Sequence, residues 1–367
     1  MHASLVFAIA LLGAALVVAA ASANQPWLDR HFLPSFFLPR HVYVLIETVV
    51  RVCIAAAGAS LVLGRSRVAV SLTHAPGTAV RTVIAAILAV VASEGVLRVT
   101  HARPTGWLAA EEEPRRQADP RLGWVLVPAR TGRAEIGGRT IEYAIDDAGY
   151  RVRSAGDAVH PERPTIVFAG ESVMFGEGLT WDESIPAQAG AMLGIQSANV
   201  AVHGYGTDQI YLRLERELPR FRQPVAVVSI FMTELFGRNL DDDRPHLSPG
   251  LAWQPAARAS RLASLAGLLV PFRLDGTVDA GVTMTRDVLR ATAQLAHARG
   301  ADLVIVVPQF GSEDDVQRAL RARVMTDDAS WLLVPLEADW RLPWDRHPNA
   351  LAAHAIAEAI AIRLRGA

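Results

Sequence analysis

The sequence predicts an α/β domain on a doubly wound, flavodoxin-like parallel sheet, preceded by about three transmembrane helices. Three observations carry that prediction. Apolar residues make up 51% of the 367-residue chain, mean hydropathy is +0.23, and the first hundred residues hold membrane-length apolar stretches. Beyond them, short Val- and Ile-rich runs alternate with helix-patterned stretches. The runs end at glycine or polar residues, as buried parallel strands do when their carboxyl ends carry the chemistry.

Charge and cysteine content narrow the function classes. Lys+Arg 36 against Asp+Glu 37 leaves a net charge of −1 with no basic block, which argues against a nucleic-acid partner. The single cysteine, Cys53, excludes an internal disulfide and a Cys-based zinc site. The Asp241-Asp242-Asp243 run reads as a solvated charged face, so no metal is expected, and no motif asks for a cofactor.

Residues 1–100 read as the membrane region. Residues 3–23 are apolar throughout and long enough to span a bilayer. They fit an uncleaved anchor or a signal peptide, since Ala21-Ser22-Ala23 has the small-x-small form of a cleavage site. A second span covers 41–63, with Glu47 and Arg51 four residues apart on one helix face. A third runs over about 78–99, where Arg81 and Glu94 reach toward the two interfaces. The loop carrying Arg65 and Arg67 is expected on the cytoplasmic side, which puts everything after Arg98 outside. The lipid bilayer is therefore an expected partner.

Residues 101–120, with Pro104, Gly106, Pro114 and Pro120, read as a linker. The domain proper is 121–367. It opens with a β-rich lead-in over 121–160, marked by the Gly137-Gly138 and Asp147-Ala148-Gly149 turns. Parallel strands are expected at 165–169, 198–202, 225–231, 301–307 and 331–334, and helices at 208–218, 283–299, 314–324 and 349–364. Residues 241–280, proline-rich, read as an irregular insertion.

The residues just after the strands are the candidate site. Ser172 in Gly170-Glu171-Ser172 stands at a strand-to-helix turn, where a hydroxyl is presented above the sheet as a nucleophile. The second strand runs into His203-Gly204-Tyr205-Gly206, whose glycines free backbone N–H groups for a ligand. Near the C-terminus, Asp345-Arg346-His347 pairs an imidazole able to take a proton near neutral pH with a carboxylate able to fix its tautomer.

Together, in this order, these blocks resemble the SGNH (GDSL-like) hydrolase superfamily over residues 120–367. Asp119-Pro-Arg-Leu-Gly-Trp124, Asp147-Ala-Gly-Tyr-Arg151 and Gly170-Glu-Ser-Val-Met-Phe-Gly176 are similar to its membrane-anchored bacterial members, as is Glu94-Gly-Val-Leu-Arg98. The stretch Asn199-Val-Ala-Val-His-Gly-Tyr-Gly-Thr-Asp-Gln209 is similar to the second block of that family. The resemblance implies an SGNH-type fold, Ser172 as nucleophile, His347 as base, Asp345 as the orienting acid, and oxyanion donors from the Ser172 and Gly204 N–H groups. His203, Tyr205 and Glu171 are expected near substrate. Two positions depart from the family pattern. Glu171 stands where Asp is usual. Thr233 stands where a Gly-x-Asn would put the asparagine that completes the oxyanion hole, and the nearest asparagine is Asn239. The hole is thus expected to use Thr233 or Asn239.

The implied activity is cleavage of acetyl or short-chain acyl esters through an acyl-serine, on the outer side of a bacterial inner membrane. Two alternatives remain open. One is O-acyl transfer to an envelope polysaccharide, with the polysaccharide machinery as partner. The other is a non-catalytic glycan-binding or scaffold protein.

Overall fold

The computed structural model of the chain describes residues 2–33, 36, 39–100, 112–257, 260–269, 272–325, 330–343 and 346–366. The chain divides into two compact units, residues 1–104 with 259–275, and residues 105–258 with 276–367.

The first unit contains α1 (His2–Ser22), the short α2 (Gln25–His31), α3 (Arg40–His74) and α4 (Pro76–Val99). α1, α3 and α4 are each long and apolar enough to cross a membrane. Gly13 of α1 meets Gly58 of α3, and a Cβ on either would stand 2.6 Å from the carbonyl oxygen of the other. Bare backbone at both positions allows the close helix approach that small residues give in lipid.

One expectation for this unit is corrected. The segment around Arg65 and Arg67 is helix, not loop. α3 runs to His74, and Ala75 alone separates it from α4. A single glycine at 64 does not stop a helix, whereas Pro76 at the first turn of α4 does. Glu47 and Arg51, four residues apart on α3, interact by charge as expected, and each has a further partner. Glu47 accepts from Gln25 at 3.2 Å, and Arg51 Nε donates to the Ala20 carbonyl at 3.3 Å.

The stretch read as one insertion is divided. Residues 246–254 form a hairpin, β9 (His246–Ser248) with β10 (Ala252–Gln254), in the second unit. Residues 259–275 belong to the first unit and include α8 (Arg261–Leu269). The Glu94 carboxylate of α4 caps α8. It accepts from Ser260 Oγ at 2.7 Å, Leu262 N–H at 2.9 Å and Arg261 N–H at 3.1 Å, groups that a helix start otherwise leaves unpaired.

The second unit is mixed α/β around a sheet that is mostly parallel. A hairpin of β1 (Arg116–Asp119) and β2 (Gly123–Leu126) precedes it, so the end of the stretch read as a linker is strand. Residues 101–111 of that stretch lie outside the described residues. The main sheet runs, in spatial order, β12 (Trp331–Leu336), β11 (Asp302–Phe310), β8 (Pro224–Ile230), β6 (Thr165–Phe168), β7 (Gln196–Asn199), β5 (Arg151–Val152), β4 (Arg139–Ile145) and β3 (Arg130–Ile136). The first five are parallel, and β5, β4 and β3 extend the sheet antiparallel. α5 (Ser172–Phe175), α6 (Ile185–Leu193), α7 (Thr207–Glu217), α9 (Asp275–Ala298), α10 (Asp315–Val324) and α11 (Ala350–Arg365) follow strands or precede them.

Ile166, Val167, Phe168, Val227, Val228, Ile305 and Val306 are fully buried, and these central strands read as unbroken apolar runs because both of their faces are covered. The chain steps from β6 out to β7 and then crosses to β8 on the other side of β6. Strand order reverses there, and the crevice at the carboxyl ends of β6 and β8 is where such a sheet places its chemistry.

A buried ion pair fixes the loops around that crevice. Asp208 at the start of α7 takes both arms of Arg244 at 2.9 Å, and neither side chain is more than 3% exposed. Asp208 also accepts from Leu247 N–H, while Arg244 donates to the Arg238 carbonyl at the end of the 3-10 turn Thr233–Leu240. Asp208→Asn should leave the Arg244 charge buried without its counter-ion, a loss of about 3–5 kcal/mol. For a unit of this size that lowers the melting temperature of the full chain in detergent by about 10 °C, followed by circular dichroism. A drop of less than about 2 °C would show that the pair does not hold these loops.

Candidate active site

β6 ends at Phe168, and two residues on stands Gly170, where a Cβ would meet Met174 Cβ at 2.3 Å and Ile230 Cγ2 at 2.8 Å. Glycine is needed there because the chain turns directly against its own next helix. Glu171 caps α5, its Oε2 accepting from Val173 N–H at 2.8 Å, and Ser172 is the first residue of that helix. Ser172 Oγ lies 2.7 Å from Glu171 Oε2 and 2.7 Å from His347 Nε2. Glu171, Ser172 and His347 are 4%, 2% and 6% exposed. The serine and the histidine are 175 residues apart in sequence.

The loop that delivers His347 is held at both ends. Asn349 caps α11 by accepting from Leu351 N–H at 3.0 Å and Ala352 N–H at 3.1 Å. Arg341 donates to the Arg346 carbonyl and to Glu234 Oε2, both at 2.8 Å, which ties the loop to the turn after β8. Asp345 lies outside the described residues.

Gly204 adopts φ +81°, a backbone that favours glycine, beside the Trp124 ring. Among the described residues, neither the Ser172 nor the Gly204 N–H donates a hydrogen bond. Thr233 is buried at the start of the 3-10 turn, and no hydrogen bond of its hydroxyl is found among the described residues.

Two expectations for the site are corrected. Asn239 does not face the oxyanion. Its amide donates to Thr207 Oγ1 and Thr285 Oγ1, both at 2.9 Å, and its oxygen accepts from Thr207 N–H at 2.8 Å. Both donors are thus committed to holding α7 against α9. Tyr205 is 1% exposed and donates its hydroxyl to the Trp124 carbonyl at 2.6 Å, so it supports the Gly204 turn from beneath instead of meeting substrate.

His203 is in the site, but not as a titrating group. Burial, followed by the Arg116, Arg238 and His347 charges, pushes its pKa down to about 3. Both ring nitrogens are buried without a hydrogen-bond partner. Glu177, which sequence reasoning passed over, reaches the same place. Its Oε2 is 3.8 Å from His203 Nδ1 and 3.8 Å from His347 Nε2. An acid between two glycines, directly after the nucleophile turn, was the signal available for it. Arg151 was seen only as part of a motif. It is 0% exposed and donates to the carbonyls of Phe175, Gly176 and Leu179 at 2.6–2.7 Å, behind the nucleophile. Burial lowers its pKa to about 10.

No protein-family model matches the chain, and no curated protein matches it. Solved structures do. One is described as a lipolytic protein of the G-D-S-L family from Desulfitobacterium hafniense (13% identity, 55% of this chain and 98% of that one, TM-score 0.35). Another is an acetyl xylan esterase from Butyrivibrio proteoclasticus (13%, 57% and 65%, TM-score 0.34). A third is a carbohydrate acetylesterase family member from Sinorhizobium meliloti (12%, 55% and 98%, TM-score 0.34). A likeness this remote carries no argument about chemistry, which rests on the site itself.

A neutral His203 in the fold makes a pH prediction. In the unfolded chain it takes up a proton near pH 6.5, and in the folded protein only near pH 3. The unfolded state therefore binds more protons between these values, and stability falls as pH drops below 6.5. From pH 6.5 to 4.5 this one group removes on the order of 2 kcal/mol. His203→Gln should flatten that part of the pH–stability curve, measured by urea unfolding in detergent. An unchanged slope would mean that His203 titrates normally.

Proposed function

We propose that this protein is a membrane-anchored serine hydrolase of the SGNH type, acting on acetyl or other short-chain acyl esters. The observation that carries the reading is the 2.7 Å contact between Ser172 Oγ and His347 Nε2, both buried, at the switch point of the sheet. The fold type we infer is doubly wound and flavodoxin-like, because the parallel strands run 2-1-3-4-5 when numbered in chain order.

In this reading Ser172 Oγ attacks the acyl carbonyl and His347 Nε2 takes its proton. The oxyanion is met by the Ser172 and Gly204 N–H groups, with the Thr233 hydroxyl as third donor. Asp345, which lies outside the described residues, is the acid assigned to orient His347. The leaving alcohol takes the proton back, and a second hydroxyl then repeats the sequence on the acyl-serine. Transfer to a sugar of the cell envelope shares every step up to that acyl-serine. The short Ser172–His347 contact favours an enzyme over a glycan-binding scaffold.

The apolar α1, α3 and α4 support anchoring in a bacterial inner membrane, with the second unit on the extracytoplasmic side. The substrate is then an acyl ester or acylated glycan outside the cytoplasm.

The test uses the full chain in detergent, because residues 259–275 belong with the membrane helices. A fluorophosphonate should add one mass increment to the wild type and none to Ser172→Ala. His347→Gln should slow labelling by about 1,000-fold. Equal labelling of Ser172→Ala, or none of the folded wild type, would overturn the serine-enzyme reading.

A further inference from the structure

We propose that Glu177 and His347 together hold the water that cleaves the acyl-serine, so that the enzyme discharges to water in preference to an alcohol. The inference rests on the serine-enzyme reading above.

Glu177 is folded over the site by its neighbours. Gly176 has φ +84°, and a Cβ there would meet Arg151 Nη1 at 2.7 Å; Gly178 has φ +77°, and a Cβ there would meet Leu342 Cδ1 at 2.2 Å. Neither neighbour can be another residue without moving the turn. The carboxylate is 16% exposed, so it is open to solvent.

Its Oε2 is 3.8 Å from His347 Nε2, too far for a direct hydrogen bond and the right width for one oxygen between them. An oxygen about 2.8 Å from both atoms subtends about 85°, within the range of a bridging hydroxyl. His203 lines the same carboxylate from the other side, with Nδ1 also 3.8 Å away and both ring nitrogens lacking a partner.

The chemistry of the two groups selects the ligand. A carboxylate is an acceptor only, and His347 must present Nε2 as an acceptor to serve as base. An oxygen facing two acceptors needs two O–H bonds. Water has two, and an alcohol has one. Water can therefore donate to Glu177 while its second proton points at Nε2. In the step itself that second O–H bond breaks, its proton goes to Nε2, and the water oxygen bonds to the acyl carbon. The tetrahedral intermediate collapses, the bond to Ser172 Oγ breaks, and Oγ takes the proton from His347. The products are the free acid and the restored serine.

Glu177→Leu in the full chain, in detergent, tests this. Fluorophosphonate labelling follows attack by Ser172 and needs no water, so it should stay within about twofold of wild type. Turnover of p-nitrophenyl acetate should fall by at least about 10-fold, with acetyl-Ser172 accumulating by intact mass. Glycerol added as a second acceptor should restore turnover more in the variant than in wild type. Turnover within about threefold of wild type, or loss of labelling together with turnover, would overturn the proposal. A wild type that labels at Ser172 keeps the parent reading intact in either case, and one that does not label overturns both.

Discussion

The Arg151 guanidinium, sealed from solvent behind the nucleophile, gathers the carbonyl oxygens of Phe175, Gly176 and Leu179 around one fixed fork. These carbonyls lie at the end of α5 and in the turn beyond it. A four-residue helix has too few internal hydrogen bonds to hold its own shape. The cation replaces them, and the Tyr143 and Phe175 rings close over it with centroids 4.8 and 4.9 Å from its carbon. Both Ser172 and Glu177 are carried on that segment. The antiparallel edge of the sheet, where Arg151 sits, is therefore part of the machinery of the site and more than a cover for the sheet.

The same device recurs at the other loops. Arg244 is locked onto Asp208 and Arg341 onto Glu234, while within α7 Arg213 pairs with Glu217, which also takes the Tyr150 hydroxyl. Buried pairs of this kind add little net stability against an apolar replacement, but breaking one is expensive. They act as registry pins. A guanidinium that misses its partner by an ångström leaves two charges unsatisfied, so the loops have one good arrangement. That suits a site whose two reacting side chains come from opposite ends of the domain.

Most of the fold was legible because its signals are local. The apolar runs that became β6, β8, β11 and β12 carry their burial in their composition, and the apolar stretches that became α1, α3 and α4 carry theirs in length. Ser172 and His347 were legible because each stands at an element boundary where side chains are presented. What was hidden depends on long-range geometry. Asn239 looked available as a donor until Thr207 and Thr285 were seen to take both its protons. The helical stretch at 65–74 was read as loop because two arginines looked like a membrane boundary, while the real stop is Pro76. Residues 259–275 leave the second unit for the first through contacts that no local pattern announces, with Glu94 reaching across 166 residues to Ser260.

Two histidines share one wall of the site, and their surroundings push them apart. His203 is buried, and Arg116, Arg238 and His347 place positive charge around it, so it stays neutral far below physiological pH. In the reading proposed above, His347 takes the Ser172 proton in a site where it is only 6% exposed. Glu177 stands 3.8 Å from a nitrogen of both rings, so what sets His203 apart is its burial beside the Arg116 and Arg238 charges. In the reaction proposed above, a His203 held neutral is a poor trap for the Ser172 proton, which leaves His347 as its acceptor.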